Sequence, residues 1–308
     1  MRRVIVIAGA TASGKTAASL ALARMINCEI ISSDARQVFV GMDIGTAKPT
    51  PEERSAVRHH LIDIRRPDEN YNAAEYSGDV HTVINSLPLD VIPVMVGGSG
   101  MYINAALDGL SSLPAEVDDD IRADVARELA ERGRDAMYQE LQRIDPEAAA
   151  LYADKNPRRI TRALEVFRTT GRPLTSFWKQ QSREQRYDVL AVAIAHEREG
   201  LRARINARAE QMWEAGLVGE TQALIKAGLN PSAQSLQTVG YREVLAFLSG
   251  QTTSQGALQD LKISTWQYAK RQLTWFMRDS RYSWISGEPH VIAESILTLV
   301  NERKWIAS

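Results

Sequence analysis

The chain of 308 residues is short of several things, and each shortage closes a class of function. It has a single cysteine, Cys28, so an internal disulfide and a cysteine cluster for zinc are both excluded. In its setting, Met25 to Ile30, Cys28 reads as a small buried apolar side chain. No apolar run reaches the length of a membrane span. The opening Met1-Arg2-Arg3, followed by Val4 to Ala8, faintly resembles a signal peptide, but the run breaks at once into a glycine-rich loop and is better explained as a buried strand. A cytoplasmic protein is therefore expected. Aromatic residues are only 6% of the chain, and the formal net charge is −1, which gives no hint of a polyanion partner. Hydrophobic residues at 44% and charged residues at 24% fit a globular protein with a full core.

Charge is nevertheless unevenly spread. Residues 155–186 hold nine lysines and arginines against two acids, Glu165 and Glu184, a local charge near +7. Residues 115–154 hold twelve acids against five arginines, near −7. A basic segment of that kind could face a phosphate backbone.

The first hundred residues alternate strand and helix patterns, as in an α/β sheet. Strands are expected over Val4–Ala8, Glu29–Ser32 and Val91–Val96, with Pro93 placed near a strand start because proline donates nothing to a ladder. Lys15 to Met25 and the face formed by Tyr76, Val80, Val83, Ile84 and Leu87 read as helices. Leu110 to Pro114 reads as a linker. Asp118-Asp119-Asp120 suits a helix N-terminus, and Pro157 and Gly171 bracket a further helix. Tyr187 to Ala195 returns to a strand, and mostly helix is expected from residue 197 onward. The expected organisation is a core over 1–113 and 186–308, interrupted by a helical insertion over 114–185.

Gly9-Ala10-Thr11-Ala12-Ser13-Gly14-Lys15-Thr16 has the spacing of a P-loop and lies between an apolar strand and a helix, the context that such a loop requires. Its N–H groups and the helix N-terminus cradle phosphate, Lys15 adds a full charge, and the Thr16 hydroxyl can hold Mg²⁺. The loop does not say whose phosphate it binds. An NTPase needs a carboxylate at a strand end and a means of placing water. Strand 91–96 ends in Gly97-Gly98 with no Asp, which leaves Asp63 and Asp34 as weak candidates.

Further motifs then fall in order: Ser32-Ser33-Asp34-Ala35-Arg36-Gln37-Val38-Phe39, Gly41 to Pro49, Gly97-Gly98-Ser99-Gly100-Met101-Tyr102, Arg158-Arg159-Ile160-Thr161-Arg162-Ala163-Leu164-Glu165, Val239-Gly240-Tyr241-Arg242, and Lys270-Arg271-Gln272-Leu273-Thr274-Trp275. With the P-loop they closely resemble the tRNA dimethylallyltransferases over roughly residues 4–285. Ala10 stands where the family commonly has Pro, and Ser99 where it commonly has Thr. No zinc finger of the eukaryotic kind follows, so the bacterial type is implied.

The resemblance implies a P-loop NTPase-like α/β core with a helical insertion. It implies transfer of a dimethylallyl group from dimethylallyl diphosphate to N6 of the adenosine beside the tRNA anticodon, with Mg²⁺ as cofactor and a monomer expected. In that chemistry the P-loop, Lys15 and Mg²⁺ stabilise charge growing on a departing diphosphate. Asp34 is the expected general base toward the weakly nucleophilic amine, and Ser99 helps hold the amine or donor. Arg202, Arg204 and Arg208 recur near helical spacing, with Arg208 the favoured second clamp on the diphosphate. Contacts to RNA are expected from Asp34, Ala35, Arg36, Gln37, Ser99, Arg122, Arg158, Arg159, Ile160, Thr161, Arg162, Gly240, Tyr241, Arg242, Lys270, Arg271, Trp275 and Arg278. On one helix Arg271, Trp275, Arg278 and Tyr282 would share a face suited to stacking on bases. His59-His60 lacks a third ligand and reads as structural. Three rivals stay open: a small-molecule P-loop kinase, a prenyltransferase acting on free adenine nucleotides, and an RNA-binding module with an idle P-loop.

Overall fold

A computed structural model describes residues 1–109, 117–179 and 186–306. The chain divides into two compact units, Met1–Leu107 with Gln185–Ser308, and Asp108–Glu184. The linker read over 110–114 lies outside the described residues.

The first unit begins with β1 (Arg2–Gly9), α1 (Lys15–Ala23), β2 (Cys28–Ser32), α2 (Pro51–Ala56), β3 (His59–His60), α3 (Ala73–Ser86), β4 (Ile92–Gly97) and α4 (Gly100–Asp108). The second unit holds α5 (Asp119–Ile144), α6 (Pro146–Leu151), α7 (Pro157–Thr170) and α8 (Leu174–Lys179). The first unit then resumes with β5 (Tyr187–Ile194), α9 (Arg198–Glu214), α10 (Leu217–Lys226), α11 (Tyr241–Leu248), α12 (Ser254–Met277), β6 (Tyr282–Ile285) and α13 (Pro289–Glu302).

The six strands form one parallel sheet in the order β3-β2-β4-β1-β5-β6. The central strands are apolar on both faces because both faces are covered. One face packs against α1 and α13 through Ile5, Ile7, Leu22, Val94, Val192, Ile296 and Val300. The other packs against α3, α4, α11 and α12 through Val4, Val6, Tyr76, Met95, Ile103, Val244 and Phe276. Pro93 is the second residue of β4, opposite Glu29, at a strand start as its missing N–H demands. Register places Gly9 beside Ile194, Ala8 beside Gly97, and Ser32 beside Val96. The loops that leave four central strands therefore emerge along one carboxyl edge, where α/β sheets place their ligands.

Two strands escape the sequence pattern. His59-His60 forms the short edge strand β3, and Tyr282–Ile285 forms β6 at the opposite edge. The second corrects the single helical face expected through Tyr282. Helix α12 stops at Met277 with Arg278 as its cap, and Tyr282 is buried against Phe276.

In the second unit, α5, α6, α7 and α8 enclose Val125, Met137, Leu141, Ile160, Leu164 and Phe177. Asp118 caps α5, Asn156 caps α7 with Pro157 at its first turn, and Gly171 ends α7 at φ 68°. Among the described residues no helix is long and apolar enough to cross a membrane.

Candidate active site

The P-loop turns from β1 into α1 and lines a cavity of about 460 Å³. Side chains brought in from α9, α12 and the end of β5 fix its backbone. The Gln272 amide accepts from Thr11 N–H at 2.8 Å and donates to the Gly98 carbonyl at 2.9 Å. Arg204 Nε donates to the Ala12 carbonyl at 2.8 Å, and His196 Nε2 bonds the Ser13 carbonyl at 2.8 Å. Ala10, the departure from the commoner proline, is fully buried beside Leu201, Ile205 and Ala269. With the Ala12 and Ser13 carbonyls held by these side chains, Ser13, Gly14, Lys15 and Thr16 line the cavity at the start of α1, and the Ser13 hydroxyl lies close to Gly9. That hydroxyl is buried and has no hydrogen-bond partner among the described residues.

Lys15 Nζ donates to the carbonyls of Gly9 at 3.1 Å and Ala10 at 2.6 Å. Burial, reinforced by the Arg208 guanidinium, lowers its pKa to about 7, while Asp34 pulls the other way. Burial also lowers the pKa of Arg208, against the influence of Asp34. Two basic side chains are thus held on a desolvated wall, with Asp34 near both and Glu53 acting on Arg208, an arrangement that favours an anionic ligand.

Asp34 follows β2, and its loop is set by close backbone packing. A Cβ on Gly97 would stand 2.0 Å from the Ser33 carbonyl oxygen, so only glycine allows the two loops to meet there. Ser33 N–H donates to Val96, Ser99 N–H donates to Ser33, and Ala35 N–H donates to the Ser99 hydroxyl at 3.1 Å. Asp34 Oδ1 accepts from Arg36 N–H at 2.9 Å. Tyr268 closes the site from α12, its ring lying under the guanidinium groups of Arg36 at 5.1 Å and Arg271 at 5.8 Å. Burial first, then the nearby Asp34, raises its phenol pKa, so the hydroxyl stays protonated.

A second, smaller cavity of about 60 Å³ adjoins the first. Ile205, Ala209, Met212, Val239 and Leu261 give it an apolar interior. Thr11, Asp34, Thr46, Ala47, Arg208 and Tyr268 line both cavities. Asp34 therefore stands where the cavity in front of the P-loop meets one with an apolar interior.

The family model described as IPP transferase matches residues 37–279. The chain belongs to the IPP transferase family. It is 41% identical over 308 residues to a tRNA dimethylallyltransferase of Thermobifida fusca, covering 98% of this chain and 95% of that one. It is 39% identical over 301 residues to tRNA dimethylallyltransferase 2 of Geotalea uraniireducens, covering 97% and 95%. A solved full-length tRNA isopentenylpyrophosphate transferase from Bacillus halodurans superposes with a TM-score of 0.72 at 35% identity, covering 99% of this chain and 98% of that one. A eukaryotic dimethylallyltransferase described as acting on tRNA superposes at 0.77 with 25% identity, covering 93% and 74%.

Against this family frame, the residues read from sequence separate into groups. Thr11 to Thr16 of the P-loop, Asp34, Gln37 and Arg208 line the larger cavity, from which Gly9 and Ala10 are absent, and Asp34, Arg36 and Arg208 line the smaller. Lys270, Arg271 and Arg278 are exposed on or just beyond α12, and Trp275 is 43% exposed with its indole laid against Gly100. In the second unit Arg158 and Arg159 are exposed, Thr161 and Arg162 half-buried, and Arg122 exposed and paired with Asp119 at 2.8 Å. Ile160 and Tyr241 are wholly buried, so neither side chain offers a surface to RNA. They are the inward positions of the helices α7 and α11 that carry their motifs. Arg242 is exposed and paired with Glu243 at 2.6 Å. Asp63, considered as a strand-end carboxylate, is bound instead to Lys48 and Arg54. Sequence reasoning passed over Gln272, His196 and Tyr268 as parts of the site. Gln272 lay inside a quoted motif, whereas His196 and Tyr268 carried no local signal.

Proposed function

We propose that the chain is a tRNA dimethylallyltransferase, moving the dimethylallyl group of dimethylallyl diphosphate to N6 of the adenosine 3′-adjacent to the anticodon and releasing diphosphate. The observation that carries this reading is the shared wall: Asp34, Thr11 and Arg208 border both the phosphate cavity and the apolar pocket. A prenyl diphosphate has those two ends, and its reacting carbon lies at their junction.

In the proposed reaction the bond between the allylic carbon and the diphosphate oxygen breaks, and a bond from that carbon to N6 forms. The P-loop N–H groups, Lys15 and Arg208 meet the charge that grows on the departing oxygen, where preorganised donors act most strongly. The Asp34 carboxylate takes the proton lost by the amine. The Ser99 hydroxyl, fixed by Ala35 N–H, orients acceptor or donor. Thr16 lines the larger cavity beside Lys15, and its hydroxyl is a hard oxygen donor that suits Mg²⁺, an ion that takes few protein ligands alongside phosphate oxygens. Thr16 would hold it, and it would neutralise diphosphate charge.

For the donor, the small cavity matches a short chain. At roughly 10–15 Å³ per water-sized position, its space of about 60 Å³ offers about four to six such positions. A space of that size favours a short prenyl group such as the five-carbon dimethylallyl over a longer one. For the acceptor, the extruded base would stack near Tyr268, with Arg36, Gln37 and Arg271 beside it. Lys270, Trp275, Arg278, Gly240 and Arg242 would add contacts from the core unit. The helical insertion, read as 114–185, would grip the anticodon stem-loop through Arg122, Arg158, Arg159, Thr161 and Arg162. The enzyme would act as a cytoplasmic monomer.

Mass spectrometry of nucleosides from tRNA incubated with enzyme, Mg²⁺ and dimethylallyl diphosphate tests this directly. N6-isopentenyladenosine at the position after the anticodon is the expected product. Unmodified tRNA, or modification of free AMP in preference to tRNA, would overturn the reading.

A further inference from the structure

Glu220 lies on α10, outside the lining of either cavity, and no motif draws attention to it. Its Oε2 accepts from the backbone N–H groups of Asp43 at 2.8 Å and Ile44 at 2.7 Å. Its Oε1 accepts from Gly45 N–H at 3.0 Å and from the Tyr241 hydroxyl at 2.6 Å. Four donors thus converge on one carboxylate. Burial and the adjacent Glu220 carboxylate raise the Tyr241 phenol pKa, so it remains a donor. Tyr241 presses so closely on the loop that a Cβ on Gly45 would stand 2.5 Å from its ring.

The loop beyond is secured at its other end. Lys48 donates to the Phe39 carbonyl at 2.6 Å, to Asp43 at 2.7 Å and to Asp63 at 2.5 Å. Gln37 donates to the carbonyls of Thr46 and Ala47. Between these ties Ala47 holds a left-handed φ of 49°, a conformation that persists in a non-glycine residue only where its surroundings impose it. Gly45, Thr46 and Ala47 are the residues this loop presents to the apolar pocket, on which Met212 and Leu261 also border. The segment lies in no sheet ladder, so the pocket's size on this side depends on side-chain ties, with those at 43–45 holding one end of the wall and Gln37 and Lys48 the other.

We propose that Glu220 and Tyr241 form a clamp that sets the length of the prenyl chain accepted, by fixing the 43–47 backbone as a wall of the apolar pocket. The inference rests on the reading of that pocket as the donor's hydrocarbon site. Both are positioning residues that act through the loop. Released from the carboxylate, the three N–H groups would turn to water and the wall would recede, making room for a longer chain and orienting the short one less well.

The test uses the full chain with tRNA, comparing kcat/KM for dimethylallyl and geranyl diphosphate in the wild type, Glu220→Gln and Tyr241→Phe, with thermal melting recorded alongside. In Glu220→Gln the preference for the five-carbon donor should fall by about tenfold or more, the scale at which pocket fit discriminates hydrocarbon chains. Tyr241→Phe, which removes one of the four donors and keeps the buried ring, should shift the ratio the same way by less. An unchanged ratio in folded variants, with both donors losing activity together or only the melting temperature falling, overturns the clamp. If Glu220→Gln does not fold, Tyr241→Phe decides on the same criterion. A wild type that prenylates no RNA with either donor brings down the functional reading itself, whereas an active wild type with insensitive variants brings down the clamp alone.

Discussion

Lys15 offers the sharpest test of the charged wall, because its altered pKa ties diphosphate binding to proton uptake. In the ligand-free protein burial and Arg208 hold the lysine at about 7, against an ordinary 10.5. At pH 8, one unit above that value, about a tenth of the free enzyme carries a charged lysine. A bound diphosphate supplies the counter-charge and returns the pKa toward its ordinary range. Binding should then take up about 0.9 proton per site at pH 8, and affinity should weaken about tenfold from pH 8 to pH 9. A prenyl diphosphate is fully ionised across that range and contributes no proton of its own. The measurement is calorimetric titration with an unreactive thio-analogue of dimethylallyl diphosphate, in buffers that differ in ionisation enthalpy. The slope of observed enthalpy against buffer enthalpy counts the protons. Lys15→Arg, charged at every accessible pH, should show a slope near zero and little pH dependence. A wild-type slope near zero, or a slope that survives Lys15→Met, would refute the reasoning. The sign for stability is also fixed. From about 7 to about 10.5 the unfolded chain holds a proton that the folded one lacks, so this group makes the ligand-free fold more stable as pH rises through that window.

Asp34→Ala should lower turnover about 10²–10⁴-fold with tRNA binding nearly intact, measured by single-turnover transfer and filter binding, and unchanged turnover removes Asp34 from the chemistry. Replacing Arg158 and Arg159 by Ala should weaken tRNA binding and flatten its dependence on salt by about one unit of slope per lost phosphate contact, and an unaltered slope means that these arginines face elsewhere. Gln272→Leu leaves Thr11 N–H and the Gly98 carbonyl without their partner, each at about 1–3 kcal/mol. It should lower the melting temperature and raise KM for the donor, and a wild-type KM would show that the P-loop keeps its shape without this tie.

The parts of this protein that were legible in the sequence are those fixed by neighbouring residues. The run Val4–Ala8, the glycine and lysine spacing after it, and the helix signals at Asp118, Pro157 and Gly171 all express local geometry, and the elements form where those signals stand. β6 was hidden because Tyr282–Ile285 is four residues long and follows a helix with aromatic and basic residues of its own. The pairing of Ala191–Ile194 with Tyr282–Ile285 creates it, and pairing partners are not written in local sequence. Tyr241 and Ile160 mark the same boundary from the other side. Their motifs speak for RNA recognition, yet a helix in such a motif still has an inward face, and both residues occupy it.

The site's chemistry depends most on contacts that cross long stretches of chain. Gln272 reaches 261 residues back to Thr11, Arg204 reaches 192 back to Ala12, and Glu220 reaches 175 back to Gly45. Arg204 stands in an arginine run of helical spacing that points to a ligand contact, and neither Gln272 nor Glu220 stands in a periodic pattern that would expose it. Each of the three supplies what a lone P-loop lacks: Arg204 holds the Ala12 carbonyl, Gln272 ties Thr11 N–H to the Gly98 loop, and Glu220 fastens the backbone at 43–45. A P-loop without a strand-end carboxylate on β4 is therefore not an incomplete NTPase. Where hydrolysis would place a water-orienting group, this chain sets Asp34 at the junction of two cavities, with Gly97 permitting the approach of its loop and Ser99 holding it there. That junction suits the proposed donor, in which a leaving diphosphate and an apolar tail meet at the reacting carbon.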